Sequence, residues 1–207
     1  VYYREGRYIF GGAVQRALGG DMDHKTYGLF VNNDYHLNSE LTLTAGLRYT
    51  KEEKDAQVIA GACADVVSFN CSFDQLSDEW SNVTPKVGFS WQFAEDAQLY
   101  SFWTKGFRSG GVNFRNAKPD IIPAGPTSEE EQQSYEIGIK SDWMDGKLRV
   151  NAAWFYNTVD DMQRELNMGD PDVIVLQGTI NAGDVTIQGV EMDFVAMLAD
   201  NFSLNGS

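Results

Sequence analysis

Few groups in this 207-residue sequence could do chemistry, and most of them stand alone. Lys105 and Arg108 lie in LYSFWTKGFRSGGVN (Leu99–Asn113), where an aromatic strand turns cationic and leaves through Gly110 and Gly111. Two cations so placed could form a basic rim that attracts an anion, although a structural salt bridge is the plainer use. Cys63 and Cys71 fall in a polar stretch, ACADVVSFNCSF, and favour a disulfide that closes a loop in an oxidising compartment. A metal site there would need further ligands, and His24 and His36, the two histidines, are distant in sequence. No serine sits in a Gly-x-Ser-x-Gly elbow, so hydrolase chemistry lacks its nucleophile. Glu129–Glu131 and Asp160-Asp161 lack the ligand spacing of a calcium loop, and GGAVQRALGG lacks the Gly-Lys-Ser/Thr of a phosphate loop. The residues therefore point to no catalytic set, no cofactor and no metal.

Bulk properties narrow the class. A formal net charge of −14 argues against nucleic acid as a partner, because phosphate binding needs a basic face. No run approaches the roughly 20 apolar residues of a spanning helix. Membrane-spanning strands remain open, since they need only about 9–11 residues of alternating character. The chain starts at Val1 with no initiator Met or signal segment, and reads as an internal piece of a longer polypeptide.

The elements that must position these residues are strands. Residues 1–23 lack clean alternation and read as the end of a strand plus an excursion loop, with room for one helical turn in GGAVQRALGG. Period-two alternation then becomes clear. Tyr27, Leu29, Val31, Tyr35 and Leu37 oppose Thr26, Gly28, Asn32, Asp34 and His36; Leu41, Leu43, Ala45, Leu47 and Tyr49 oppose Thr42, Thr44, Gly46, Arg48 and Thr50. Beyond a cysteine loop, Val83, Pro85, Val87, Phe89, Trp91 and Phe93 oppose Thr84, Lys86, Gly88, Ser90 and Gln92. The Leu99 stretch follows, with neither parity clearly apolar, and its faces stay open. Tyr135, Ile137, Ile139 and Trp143 then oppose Glu136, Gly138, Lys140 and Asp142. Asp145-Gly146 is a hairpin signal that pairs Trp143 with Leu148 and Asp142 with Arg149. After a loop near 167–178, Val190, Met192, Phe194, Ala196 and Leu198 oppose Gln188, Gly189, Glu191 and Asp193, and a last strand carries Phe202 and Leu204.

Two classes of β protein fit such alternation. Sandwich strands usually run about 5–6 residues; these run well beyond that. Tight turns also alternate strictly with long loops, the asymmetry of an outer-membrane barrel. Tyr35, Phe93, Trp143 and Phe202 lie near the tight turns, and Tyr27, Tyr49 and Tyr156 lie toward the long loops. From Leu41 to Tyr49 a strand runs about 27 Å, or roughly 20 Å across a bilayer at the usual tilt. The expected fold is thus all-β, an antiparallel transmembrane barrel represented by about eight strands. Its polar face places Arg48, Lys86, Glu136, Lys140, Asp142, Arg149, Glu191 and Asp193 in the lumen, where they pair across strands, meet solvent, or contact a plug or a passing solute.

Four blocks carry a resemblance: LTLTAGLRYTKEEK (Leu41–Lys54), KGFRSGGVNFR (Lys105–Arg115), SYEIGIKSDWMDGKLRVNAAWFYNTVDDMQ (Ser134–Gln163) and NAGDVTIQGVEMDF (Asn181–Phe194). In this order they resemble the barrel domain of TonB-dependent outer-membrane receptors, in the version grouped with iron-siderophore uptake. The resemblance implies a barrel of about 22 strands filled by an N-terminal plug. It further implies ligand binding at outer loops and plug apex, energy from the TonB–ExbB–ExbD complex, and contact with lipid and lipopolysaccharide. Residues 1–207 would be part of the C-terminal barrel domain, with plug and TonB box outside them. Arg48, Lys86, Lys105, Arg108, Glu136, Lys140, Arg149 and Glu191 are the candidate lumen or rim contacts, and Cys63–Cys71 the disulfide of an outer loop. The implied activity is energised import of a scarce solute such as a ferric siderophore. A passive channel, an adhesive barrel and a soluble β-sandwich binding module are the alternatives.

Overall fold

The computed structural model describes residues 2–10, 16–65, 70–115, 121–167, 177–199 and 201–207. Its elements are β1 (Tyr2–Phe10), β2 (Arg16–His36), β3 (Leu41–Asp65), β4 (Asn70–Ala94), β5 (Ala97–Arg108), β6 (Glu130–Trp143), β7 (Leu148–Asp160), β8 (Gln163–Asn167), β9 (Gln177–Asn181), β10 (Val185–Ala199) and β11 (Phe202–Gly206). Nine of them form one sheet in the order β1-β2-β3-β4-β5-β6-β7-β10-β11, and β8-β9 is a separate two-stranded ribbon. Every pairing is antiparallel between neighbours along the chain, the ribbon aside. This is an up-and-down barrel wall.

Three expectations are corrected. Residues 2–23 form a β-hairpin with β2 rather than a loop, since Tyr2 pairs with Asp23 and Phe10 with Arg16; the expected helical turn falls partly on residues 11–15, outside the described set. The cysteine loop is largely sheet, because β3 and β4 stay paired without a break from Leu41↔Trp91 to Ile59↔Phe73. Alternation fades past Tyr49 because Glu52 and Lys54 on the inward parity are charged like Lys51 and Glu53 on the outer one, so hydropathy no longer separates the two faces there. Gln188 pairs with Tyr156 and so shares the outer face of Val190, not that of Glu191.

Register also settles the faces of β5. Leu99 lies between Trp91 and Ile139, and Trp103 between Val87 and Tyr135, so these face outward. Tyr100 and Phe102 face the lumen, opposite Gly138 and Gly88. The tight ends close as expected: Asn38 Oδ1 accepts the amides of Glu40 and Leu41 at 2.8 and 2.7 Å, and Trp143 pairs with Leu148 across a turn with Gly146 at φ 80°.

Burial is inverted relative to a soluble sheet. In the span from Leu41 to Tyr49 and its neighbours the outer side chains stand open, Leu29 at 76% and Val190 at 72% exposure. A large contiguous apolar surface of this kind marks contact with lipid or protein. Single cysteines at Leu43 and Ile139 in the full-length receptor are therefore expected to react with lipid-soluble thiol reagents, and those at Thr42 and Lys140 with aqueous ones or none. Equal labelling of both parities would overturn the face assignment.

Candidate functional site

The buried hydrophobic side chains among the described residues lie beyond the apolar band, at the long-loop end. Glu52, Lys54, Ala56 and Val58 continue the lumenal parity of β3, and Trp80 sits across from Glu52 on β4. Ala56, Val58 and Phe114 form a buried cluster backed by Met22, Leu76, Val112 and Ala124. The segment after β5 folds inward onto the tall hairpin and brings Phe114 with it, which explains Gly110. A Cβ at Gly110 would lie 1.8 Å from the Thr127 carbonyl oxygen and 2.6 Å from the Trp80 ring.

Carboxamides pin this inward loop. Asn113, buried, donates through Nδ2 to the carbonyls of Pro123 and Thr179, both at 3.0 Å, and its Oδ1 accepts the Thr179 amide at 2.7 Å. Gln163 Nε2 donates to the carbonyls of Ser109 and Ser128, at 3.0 and 2.9 Å. Asn181 Nδ2 donates to those of Ser128 and Asp161. The β8-β9 ribbon thereby fixes the loop, and buried backbone groups with no sheet partner gain one from a side chain.

A charged cluster joins loop to hairpin. Lys54 Nζ donates to Ser109 Oγ at 2.7 Å and to the Gly110 carbonyl at 2.5 Å, and lies 5.3 Å from the centre of the Trp80 ring. Ser109 Oγ donates to Glu52 Oε2 at 2.6 Å; His24 Nε2 lies 3.0 Å from that oxygen and Lys54 Nζ 3.8 Å. Burial pushes the Glu52 carboxyl up, but hydrogen bonds from Ser109 and His24 and the charge of Lys54 outweigh it and hold the group below its usual range. Burial pulls the Lys54 ammonium down; Glu52 opposes this and Arg108 adds to it. Since folding lowers the Glu52 pKa, its contribution is complete above the unfolded value, about 4.3, and is lost as pH falls through the lower folded value. Amide protection factors across 109–113 are expected to hold from neutral pH to that point and then drop. Unchanged protection through the acid range would remove Glu52 from this role.

The predicted residues separate into groups. Arg48, Lys86, Glu136, Lys140, Arg149 and Glu191 lie on the lumenal face of the wall; Arg149 Nε donates to Asp142 at 2.7 Å, and Glu136 accepts Tyr100 Oη at 2.7 Å. Lys105 is ion-paired to Glu131 at 2.7 Å, and Asn82 Nδ2 reaches the same carboxylate. The Lys105 hydrogen bond, opposed by burial and helped by Asn82, holds Glu131 below the usual carboxylate range. That cluster bridges the place where the β4–β5 ladder stops at Lys86↔Thr104, so Lys105 serves as a structural salt bridge. Arg108, exposed, pairs in register with Glu130 and acts on Lys54 through its charge. Cys71 is disulfide-bonded, and Cys63 is its register partner across the hairpin. The functional residues missed from sequence are Glu52, Lys54, Asn113 and Gln163. Continuing the parity of Arg48 past Tyr49 would have flagged the first two.

A cavity of about 350 Å³ opens beside this cluster between Met22, Lys54, Asn113, Phe114, Glu165 and Thr179. Among the described residues no group of His, Cys, Asp and Glu could hold a metal ion. The arrangement offers binding chemistry: a fixed shelf of backbone groups, carboxamides and paired charges above a membrane wall.

Wall and shelf together define a segment of an outer-membrane β-barrel with a folded cap at its long-loop end. Residues 2–207 match the family described as TonB dependent receptor-like, beta-barrel, and the chain belongs to that family. Its members are outer-membrane transport receptors rather than enzymes. The ferric-pyoverdine M114 receptor PbuA of Pseudomonas sp. (strain M114) is 27% identical over 187 residues, covering 89% of this chain and 21% of the relative. The probable TonB-dependent siderophore receptor PiuA of Acinetobacter baumannii is 22% identical over 195 residues, 89% of this chain and 23% of its own length. Among solved structures, the ferric yersiniabactin uptake receptor FyuA from Yersinia pestis superposes with a TM-score of 0.71 at 21% identity, covering 91% of this chain and 27% of that one. The chain thus spans about a fifth to a quarter of the length of these three proteins.

Proposed function

We propose that these residues form part of the C-terminal barrel of a receptor that imports a ferric siderophore across the outer membrane with energy from the TonB–ExbB–ExbD complex. The remaining strands, the plug and the TonB box belong to polypeptide outside them. The observation that carries this reading is the inward-folded cap. Here the segments 109–115 and 121–129 and the β8-β9 ribbon are tied over the lumenal side by Asn113, Gln163 and Lys54. Such a shelf suits capture of a solute before transport. The siderophore receptors among the relatives supply the substrate class. Lipid and lipopolysaccharide are the partners of the outer face.

The test is growth of a deletion strain of the complete gene under iron limitation, with individual ferric chelates added back. Growth restored by one chelate through the plasmid-borne receptor, and abolished without TonB, is the expected result. Normal growth without iron stress would overturn the iron assignment, and TonB-independent rescue would point to a passive barrel.

A further inference from the structure

On the outer face, register lays the side chains out in rows across adjacent strands. One row runs Leu43, Phe89, Ser101, Ile137 and Trp154 from β3 to β7, and Ser101 is its one small member. The row nearer the long loops sets Val87, Trp103 and Tyr135 above it, and the row below sets Trp91, Leu99 and Ile139. A slot of about 550 Å³ opens over Ser101, bounded by its own row and by Val87, Trp103 and Tyr135. Gly88, Phe102 and Glu136, of the opposite parity, complete its floor. The flanking strands β4 and β6 lie about 10 Å apart, two strand spacings. All five strands have neighbours on both sides, so no further strand of the barrel covers the slot.

The slot is built to stay dry. Its floor hydroxyl, Ser101 Oγ, donates to the Glu136 carbonyl oxygen at 2.8 Å and has no proton left to offer. Aromatic rings wall it above and to one side. Trp103 and Tyr135 lie 6.4 Å apart between ring centres, Tyr135 and Tyr156 6.3 Å, and Trp154 stacks with Tyr156 at 6.3 Å. Trp103 Nε1 is shielded, and Tyr135 Oη lies 3.4 Å from Gln133 Oε1, one row higher. The walls therefore turn hydrocarbon into the slot, and a water there would lack the polar partners it needs. At the rim, Lys105 pairs in register with Gln133 and is held by Glu131 at 2.7 Å, so this cation is already neutralised.

Resting on the reading that lipopolysaccharide is a partner of the outer face, we infer that the slot over Ser101 holds one of its acyl chains. Long loops mark the extracellular end of such a barrel. The slot lies just below Tyr135, the last aromatic of β6 before Gln133 and Glu131, and so opens to the outer leaflet. A notch left empty between side chains forfeits dispersion contacts, and a lipid tail restores them. A second barrel would not: two convex walls meet along a line and leave a recess one side chain wide unfilled. The site recognises the tail by shape, since the rim cation is engaged within the protein. Ser101 sets that shape, because a large side chain there would close the row.

Native mass spectrometry of the full-length receptor, extracted from outer membranes in mild detergent and supplied with purified rough lipopolysaccharide, tests this directly. The wild type is expected to carry lipopolysaccharide, and Ser101→Phe to lose it because the ring fills the slot. Ser101→Ala keeps the slot and should keep the lipid. Heat-dependent gel mobility reports that each variant is a folded barrel. Equal lipopolysaccharide on wild type and Ser101→Phe would overturn the slot while leaving the partner in place. None on any of the three would strike at the partner reading itself. A phospholipid held by the wild type and lost from Ser101→Phe would overturn the lipid source. Dimers dispersed by Ser101→Phe would overturn the lipid altogether and give the slot to a second copy of the receptor.

Discussion

Gly110→Ala is expected to release the inward loop from the hairpin. Its methyl group would fall 1.8 Å from the Thr127 carbonyl oxygen, a backbone atom that cannot swing aside, and 2.6 Å from Trp80. Relief requires the loop to lift. That also separates Lys54 Nζ from the Gly110 carbonyl it bonds at 2.5 Å. Overpacking at such a contact costs about 3 kcal/mol. The cost should appear as lost amide protection across 109–115 and 121–129 with little change in the wall, because local openings report local stability. Ligand affinity of the full receptor is expected to fall with it. Wild-type protection in the alanine variant would show that the close approach at Gly110 does not hold the loop.

Asn113→Leu should have an effect of similar size by a different route. The substitution keeps the branched heavy-atom outline, at slightly greater volume, and removes every polar atom of the carboxamide. It leaves the Pro123 and Thr179 carbonyls and the Thr179 amide without their partner in a buried setting. Each unsatisfied buried group costs about 1–3 kcal/mol, so a total of about 4 kcal/mol is expected once part of the loop rehydrates. Asn113→Asp is the informative companion: it keeps the acceptor for the Thr179 amide but turns a carboxylate toward two carbonyls. It should fail nearly as badly as leucine. A tolerated aspartate would mean that the donor bonds contribute little.

The wall was legible because lipid imposes a strict rule on it. On the outer parity from Tyr27 to Tyr35 and from Leu41 to Tyr49 every residue but Asn33 is apolar or aromatic, and the hairpin at Asp145-Gly146 locks a register that the Trp143–Leu148 pair confirms. The phase of β5 was not legible. Its lumenal positions carry Tyr100 and Phe102, aromatic residues tolerated there because Gly138 and Gly88 make room on adjacent strands. That compensation lies at positions remote in sequence, and alternation within one strand cannot reveal it. The cap was hidden for a related reason. Ala56, Val58 and Phe114 meet only after the chain folds back, and the polar residues that hold the loop, Asn113 and Gln163, look like ordinary loop composition until their partners are seen.

The break in pairing between β4 and β5 above Lys86↔Thr104 has a consequence for how such a protein can change. Below it, each strand depends on two neighbours, and a substitution spreads around the wall. Above it, the tall hairpin is joined to the inward loop by Lys54 and to β6 by Asn82 and Glu131, side-chain links that single substitutions can remake. A lineage could therefore renew its outward appearance, exchanging hairpin, loop and ribbon as a set, while the foundation beneath stays untouched.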